Sequence, residues 1–269
     1  MSGASRRARA VLAQNLFVSQ GPARKLVDHA NVQPGDLVYD LGAGTGRVTR
    51  ELIRAGARVV AVERDPNLVR KLAARFEGLA VTVREADLLE VPFEPPFKVV
   101  ANLPFNVTGE LLRRLLFSGP RPETAVLTLQ REAARKYAGA PRSTTVSLSA
   151  RPWFEPSVAY PFTRRDFAPI PGVDVALLCL QRRTRPDLCD GEAAPWRAFI
   201  RQTFARVRPV ARGALRYLIS NLQWRRLSED LGLAPDALRA DLTYDQWLVI
   251  FRFATAHAPA ERRRRLGLP

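Results

Sequence analysis

Asn102-Leu103-Pro104-Phe105 sets a carboxamide, a rigid turn and an aromatic ring within four residues, directly after the apolar run Val99–Ala101. The asparagine side chain can accept a hydrogen bond from an exocyclic amine and donate one as well. Pro104 fixes its own φ and biases Leu103 away from helix, which makes a turn whose carbonyls can point outward. Phe105 offers a flat face on which a base can stack. Together these groups can hold an adenine by its amine and its ring. The same four residues also describe a strand, a turn and a buried phenylalanine, so the residues upstream must weigh between the two.

Gly35–Gly46 reads Gly-Asp-Leu-Val-Tyr-Asp-Leu-Gly-Ala-Gly-Thr-Gly. Leu37–Tyr39 is an apolar run with β-type residues, which predicts a buried strand. It ends at Asp40, and glycines follow at 42, 44 and 46. Glycine lets a chain turn sharply and approach a ligand closely. The apolar spacing of Val48–Ile53 predicts a helix directly after. The glycine spacing is G-x-G-x-G rather than the dinucleotide pattern G-x-G-x-x-G. Arg58–Val62 predicts a second strand with Glu63 at its tip, where a carboxylate can hold a ribose diol by paired hydrogen bonds. A third run, Val81–Val83, leads to Asp87, placed to accept from an adenine amine. Either acid alone also fits a solvated charge at a loop end. Strand carboxyl ends are where open α/β sheets bind ligands, and all of these groups recur there.

With these residues in view, the run Asp40–Gly46, Glu63, Asp87 and Asn102–Phe105 resembles the S-adenosylmethionine-dependent rRNA adenine N6-methyltransferases, and within them the Erm family. Gln14-Asn15-Leu16-Phe17 is similar to that family's Gln-Asn-Phe opening, with Leu16 in place of the usual Phe. Gln130-Arg131-Glu132-Ala133, the segment Phe167–Asp174 and Thr243-Tyr244-Asp245-Gln246-Trp247 resemble three further stretches, so the likeness runs from Gln14 to Phe253. It implies S-adenosyl-L-methionine as cofactor, held by Asn15, Phe17, Gly42, Gly44, Glu63, Asp87 and Asn102. It implies a catalytic set of Asn102, Leu103, Pro104, Phe105 and Phe167. In that set the Asn102 side chain and the Leu103 carbonyl accept from the adenine amine, and Phe105 and Phe167 flank the base. The implied reaction methylates N6 of one adenine in the peptidyl-transferase region of 23S rRNA and confers resistance to macrolides, lincosamides and streptogramin B. Three alternatives stay open: a dimethyltransferase of 16S rRNA, a DNA adenine methyltransferase, and a non-catalytic RNA-binding assembly factor. Leu103, where DNA enzymes carry a second proline, speaks against duplex DNA.

Composition agrees with a nucleic-acid partner. Lys and Arg number 42 against 26 acids, a net charge of +16. A surface that basic favours a polyanion, and arginine suits bidentate phosphate contact. Cys179 and Cys189 lack metal-ligand spacing, and His29 and His257 stand far apart, so no metal site is expected. Cys179 lies in an apolar run and is expected as a buried thiol in a reducing cytoplasm. No apolar stretch is long enough to cross a bilayer. Without a coiled-coil pattern, a monomer is expected.

The elements that must position these residues alternate as strands and helices up to about residue 183, as βαβ units do. Helices are predicted over Pro66–Phe76, Gly109–Leu116 and Glu132–Tyr137, and a fifth strand over Ala125–Leu129. Val158–Tyr160 and Val175–Leu180 should close a mixed, seven-stranded Rossmann-like sheet. The resulting α/β catalytic domain spans 14–183, with a linker at 184–194 carrying Pro186 and Gly191. A small all-α domain is expected over 195–258, with helices at Trp196–Val207, Leu222–Leu231 and Tyr244–Phe253. Residues 196–265 hold 14 arginines, no lysine and 6 acids, an excess of 8 positive charges, so this part is expected to face RNA. Basic disordered tails are expected at 1–13 and 259–269.

Overall fold

The computed structural model describes residues 15–264 and residue 267. Its contacts divide the chain into two units: residues up to Ala138 together with Glu155–Arg182, and Gly139–Phe154 together with the chain from Arg183 onward. The basic stretch at 1–13 and Gln14 of the opening motif lie outside the described residues.

The first unit is built on a sheet of seven strands: β2 (Leu37–Leu41), β3 (Arg58–Glu63), β4 (Val81–Glu85), β5 (Lys98–Asn102), β6 (Thr124–Gln130), β7 (Phe154–Phe162) and β9 (Val175–Arg182). Their order is β4-β3-β2-β5-β6-β9-β7. The strands from β4 across to β6 run parallel, and β9 lies antiparallel to β6, giving the mixed sheet expected. Two further strands, β1 (Leu16–Phe17) and β8 (Phe167–Ala168), pair antiparallel as a separate ribbon. Neither was legible as a strand, because two residues carry no period.

Helices α1 (Gln20–Asp28), α2 (Arg47–Arg54), α3 (Pro66–Arg75), α4 (Thr108–Phe117) and α5 (Arg131–Ala138) complete the unit. Parallel strands covered on both faces read as continuous apolar runs, which is why β2 and β5 stand out in the sequence. Val38, Tyr39 and Leu41, and Val99, Val100 and Ala101, are all buried. Leu26 and Val27 of α1 and Val48 and Leu52 of α2 share one core with Val38, Val59, Val100, Val126 and Leu177. Asp65 caps α3 by accepting from the Asn67 N–H at 2.9 Å, with Pro66 at the first helical position. The sheet reverses its winding at β2, with β3 and β4 to one side and β5 and β6 to the other. The carboxyl ends of β2 and β5 therefore flank the switch point, where such sheets open a crevice.

The second unit is helical: α6 (Thr145–Ala150), α7 (Ala193–Phe204), α8 (Ala211–Leu215), α9 (Asn221–Asp230), α10 (Tyr244–His257) and α11 (Ala260–Arg264). Its core is aromatic. The Trp196 ring meets Phe251 edge-on at 5.2 Å, and Phe199 meets Trp247 at 5.8 Å. The Thr243–Trp247 motif is a helix start: the Thr243 hydroxyl accepts from the Gln246 N–H, Gln246 Oε1 accepts from the Thr243 N–H, and Trp247 is buried.

Contacts at three of the expected boundaries are specific. Residues 139–153, up to the start of β7, group with the helices. Trp196 Nε1 donates to the Leu148 carbonyl at 2.8 Å, and the Ser143 hydroxyl donates to the Leu242 carbonyl at 3.0 Å. The segment 184–194 is pinned rather than a free linker. Leu188 is buried, the Asp187 N–H donates to the Pro152 carbonyl, and the Tyr244 hydroxyl donates to Asp187 at 2.8 Å. The tail at 259–269 is helical in its described part, where Arg262 donates to the Tyr217 carbonyl. Cys179 is half-buried rather than buried, and burial pushes its thiol up to about 11.

Gly46 opens α2 at φ +76°, and a Cβ there would come within 2.7 Å of both Leu72 and Phe76. Gly46→Ala is therefore expected to destabilise the fold by about 1–3 kcal/mol through overpacking and left-handed strain. Urea unfolding checks this; an unchanged midpoint would contradict the packing described.

Candidate active site

The site grows from the ends of β2, β3 and β5. Asp40, in β2, is buried and accepts from the Thr49 hydroxyl of α2 at 2.6 Å. Burial raises its carboxyl to about 7; the Thr49 hydrogen bonds oppose the shift, and the charge of Glu63 adds to it. The chain leaves β2 through Gly42, whose missing Cβ would otherwise stand 3.8 Å from Leu88 and from Pro104.

Glu63 ends β3 and is 2% exposed. Its Oε2 accepts from the Gly44 N–H at 2.9 Å, and its Oε1 accepts from the Arg64 and Asp65 N–H groups at 2.8 and 3.0 Å. A carboxylate offers about four acceptor sites. Three are taken by the backbone, so Oε2 keeps one for a hydroxyl. This narrows the expected pair of ribose contacts to one direct acceptor. Asp87 accepts from the Leu89 N–H through Oδ1, while its Oδ2 stands 3.7 Å from Arg64 Nη1. Gly42, Glu63, Asp87, Leu88, Pro104 and Val107 line one cleft. The sequence-predicted Gly42, Glu63, Asp87 and Pro104 are thus brought together. A partly open cleft with two acids and a bare glycine at its wall fits an adenosine-bearing cofactor with a ribose hydroxyl on Glu63.

Asn102 ends β5 and is held from two sides. Its Nδ2 donates to the Asn15 carbonyl at 2.8 Å, and its Oδ1 accepts from the Thr128 hydroxyl at 2.6 Å. A carbonyl only accepts, so the Asn15 contact fixes which end of the amide is nitrogen. One lone pair of Oδ1 remains uncommitted. Leu103 is buried, and Phe105 is half-buried against the core that α1 and α2 cover.

Two further expected site residues belong to the β1–β8 ribbon. Phe17 and Phe167 are partners in the β1–β8 ribbon, and both are buried, at 4% and 1% exposure. Their rings stand 5.1 Å apart, and Phe162 packs on each at 5.7 Å. Neither ring presents a face to a ligand. The alternation of a strand explains why: neighbouring side chains point oppositely, so Phe17 turns inward and Leu16 turns to the site. A Cβ on Gly44 would come within 2.9 Å of Leu16 Cδ2, which places Leu16 against the glycine turn. Asn15 reaches the site through its carbonyl, which accepts from Asn102. Thr128 was missed, since a threonine within an apolar run carries no signal until strand pairing is known.

Comparison with known proteins bears on this arrangement. A family model described as ribosomal RNA adenine dimethylase matches residues 5–256. The mycinamicin-resistance protein MyrB of Micromonospora griseorubida is 34% identical over 260 residues, 93% of this chain and 82% of that protein. The ribosomal RNA small subunit methyltransferase A of Thermosynechococcus vestitus is 34% identical over 257 residues, 91% of this chain and 96% of that protein. The crystal structure of the 23S rRNA methyltransferase ErmE matches with a TM-score of 0.81 at 28% identity, over 88% of this chain and 98% of that one.

Two outcomes follow from the acids. Glu63→Ala is expected to weaken S-adenosylhomocysteine binding roughly ten- to a hundredfold, the range of a lost charge-assisted hydrogen bond. Calorimetry reads this, and an unchanged affinity would remove Glu63 from the site. Asp40, raised to about 7 from 3.8, keeps in the folded state a proton that the unfolded chain releases. Its contribution to stability falls as pH rises between those values and levels off above the higher one. Urea midpoints at about pH 5 and about pH 7.5 should differ less in Asp40→Asn than in the wild type; an equal difference would contradict a neutral, buried Asp40.

Proposed function

We propose that this chain, which belongs to the ribosomal RNA adenine dimethylase family, transfers a methyl group from S-adenosylmethionine to N6 of one adenine in the peptidyl-transferase region of 23S rRNA. The observation that carries this reading is the Asn102 carboxamide, fixed with one oxygen lone pair uncommitted at the carboxyl end of β5.

Adenine N6 is a weak nucleophile because its lone pair is delocalised into the ring. When bound, S-adenosylmethionine supplies a methyl group on a sulfonium that is already electrophilic. The protein's task is then alignment and exposure of the amine's lone pair. Glu63 and Asp87 would hold the ribose and the base of the cofactor, with Gly42 and Pro104 forming the walls. Asn102 Oδ1 and the Leu103 carbonyl each accept a hydrogen bond from one N6–H, which draws the nitrogen towards tetrahedral geometry; as the N–CH3 bond forms and the S–CH3 bond breaks, one N6 proton is released to solvent. Phe105 stacks on the target base. Extruding a base costs about a few kcal/mol, and one stacked ring returns roughly 1–3. With Phe167 in the core, the two hydrogen bonds to N6 must supply the remainder.

Likeness to MyrB and ErmE, together with Phe105, supports the 23S target and a role in macrolide, lincosamide and streptogramin B resistance. The arginine excess of the helical unit supports RNA contact there. The protein is read as a cytoplasmic monomer; among the described residues no helix is long and apolar enough to cross a membrane. A second reading, dimethylation of 16S rRNA, is favoured by one observation: the small subunit methyltransferase matches at the same 34% identity over 96% of its length.

Primer extension on 23S rRNA from cells with and without the protein separates the two. A new stop at one adenine in the peptidyl-transferase region is expected with the wild type where two methyl groups are added, because N6,N6-dimethyladenine keeps no N6–H for pairing, and mass spectrometry of the same fragment reads a single methyl group. Asn102→Ala should give no stop while its RNA affinity stays within about threefold, since the contact it removes from the substrate is the one to the reacting amine. Methyl transfer confined to small-subunit particles would move the assignment to 16S rRNA.

A further inference from the structure

We infer that Thr128 is a positioning residue for methyl transfer, acting through the Asn102 carboxamide; the inference rests on the role assigned to Asn102 above. In the parallel pairing of β5 with β6, Asn102 stands in register with Thr128. Registered residues in adjacent parallel strands project from the same face, which brings the two side chains together at the sheet's carboxyl edge. Thr128 is fully buried at 0% exposure, and its hydroxyl proton goes to Asn102 Oδ1 at 2.6 Å. The other end of the amide is held by the Asn15 carbonyl at 2.8 Å.

The consequence lies in the rotor. The terminal torsion of asparagine is broad and roughly two-fold, so nothing intrinsic decides which end faces the substrate. An amide turned the wrong way would present N–H to N6–H, donor against donor. The Asn15 carbonyl removes that choice, because it can only accept; the Thr128 hydroxyl then donates to Oδ1 and fixes where the oxygen stands. The hydroxyl occupies one lone pair of Oδ1 and leaves the second for a single N6 proton. Thr128 touches neither cofactor nor base in this scheme, so its loss should change the rate of transfer and leave binding intact.

Thr128→Val keeps the shape and removes the donor. It is expected to lower kcat roughly ten- to a hundredfold, as misplaced catalytic groups do, with KM for RNA and affinity for S-adenosylhomocysteine within about twofold. Thr128→Ser restores the hydroxyl and should return kcat to within about threefold of the wild type. Wild-type kcat in Thr128→Val, or equal losses in the valine and serine variants, would overturn the inference. Should the valine variant not fold, Thr128→Ala takes its place against Thr128→Ser with the same two outcomes. Asn102→Ala, assayed in parallel, keeps the two readings apart. Transfer at the wild-type rate there refutes the role of Asn102 itself; an inactive Asn102→Ala beside an unaffected Thr128→Val refutes the role of Thr128 alone.

Discussion

A side-chain amide is held between a carbonyl and a hydroxyl at the end of the fifth strand of the chain. The Asn15 carbonyl can only accept, which sets the amide's orientation, and the Thr128 hydroxyl donates to the oxygen and fixes its position. Each partner depends on a different part of the fold. Thr128 is delivered by the parallel register of β5 and β6. Asn15 is delivered by the ribbon of β1 and β8, which ties the segment before α1 to a segment far along the chain. The buried rings of Phe17, Phe162 and Phe167 anchor that ribbon in the core. Packing that looks merely structural therefore sets the geometry at the carboxyl end of β5.

The cofactor side obeys the same logic. Glu63 is a buried carboxylate that spends three acceptor sites on backbone N–H groups. Those bonds hold the glycine turn against the tip of β3 and leave one oxygen position towards the cleft. Asp40 sits deeper, bonded to Thr49, and is raised to about 7 by burial. Burial thus favours the protonated form of Asp40, while Glu63 anchors the turn.

Much of this was legible before any coordinates. Buried parallel strands announce themselves as apolar runs, and each ended in a residue unlike the run: Asp40 with glycines, Glu63, Asp87 beyond β4, Asn102. What failed to read was whatever depended on pairing between distant segments. Phe17 and Phe167 sit in motifs that resemble binding motifs, and an aromatic ring suits either a base or a core. The β1–β8 register decides for the core, and nothing local announces it. Thr128 was hidden for the same reason. Residues 139–153 are contiguous with the sheet in sequence but pack with the helices; the visible marks, Gly139 and the Thr144–Ser147 cap, show where α5 stops and α6 starts, not what α6 covers. Thr243–Trp247 was read as a family mark, and its physical role is a capping box followed by a core tryptophan.

The central claim is that the Asn102 oxygen receives the exocyclic amine of an adenine beside the Glu63 cleft. A crystal structure of the protein with S-adenosylhomocysteine and a 23S rRNA hairpin tests it most directly. The account predicts the amine at hydrogen-bond distance, about 2.9 Å, from both Asn102 Oδ1 and the Leu103 carbonyl, with the thioether sulfur facing the nitrogen and the ribose on Glu63. An extruded base whose amine lies away from Asn102, or an Asn102 that has released Asn15 and turned its nitrogen to the base, would contradict it.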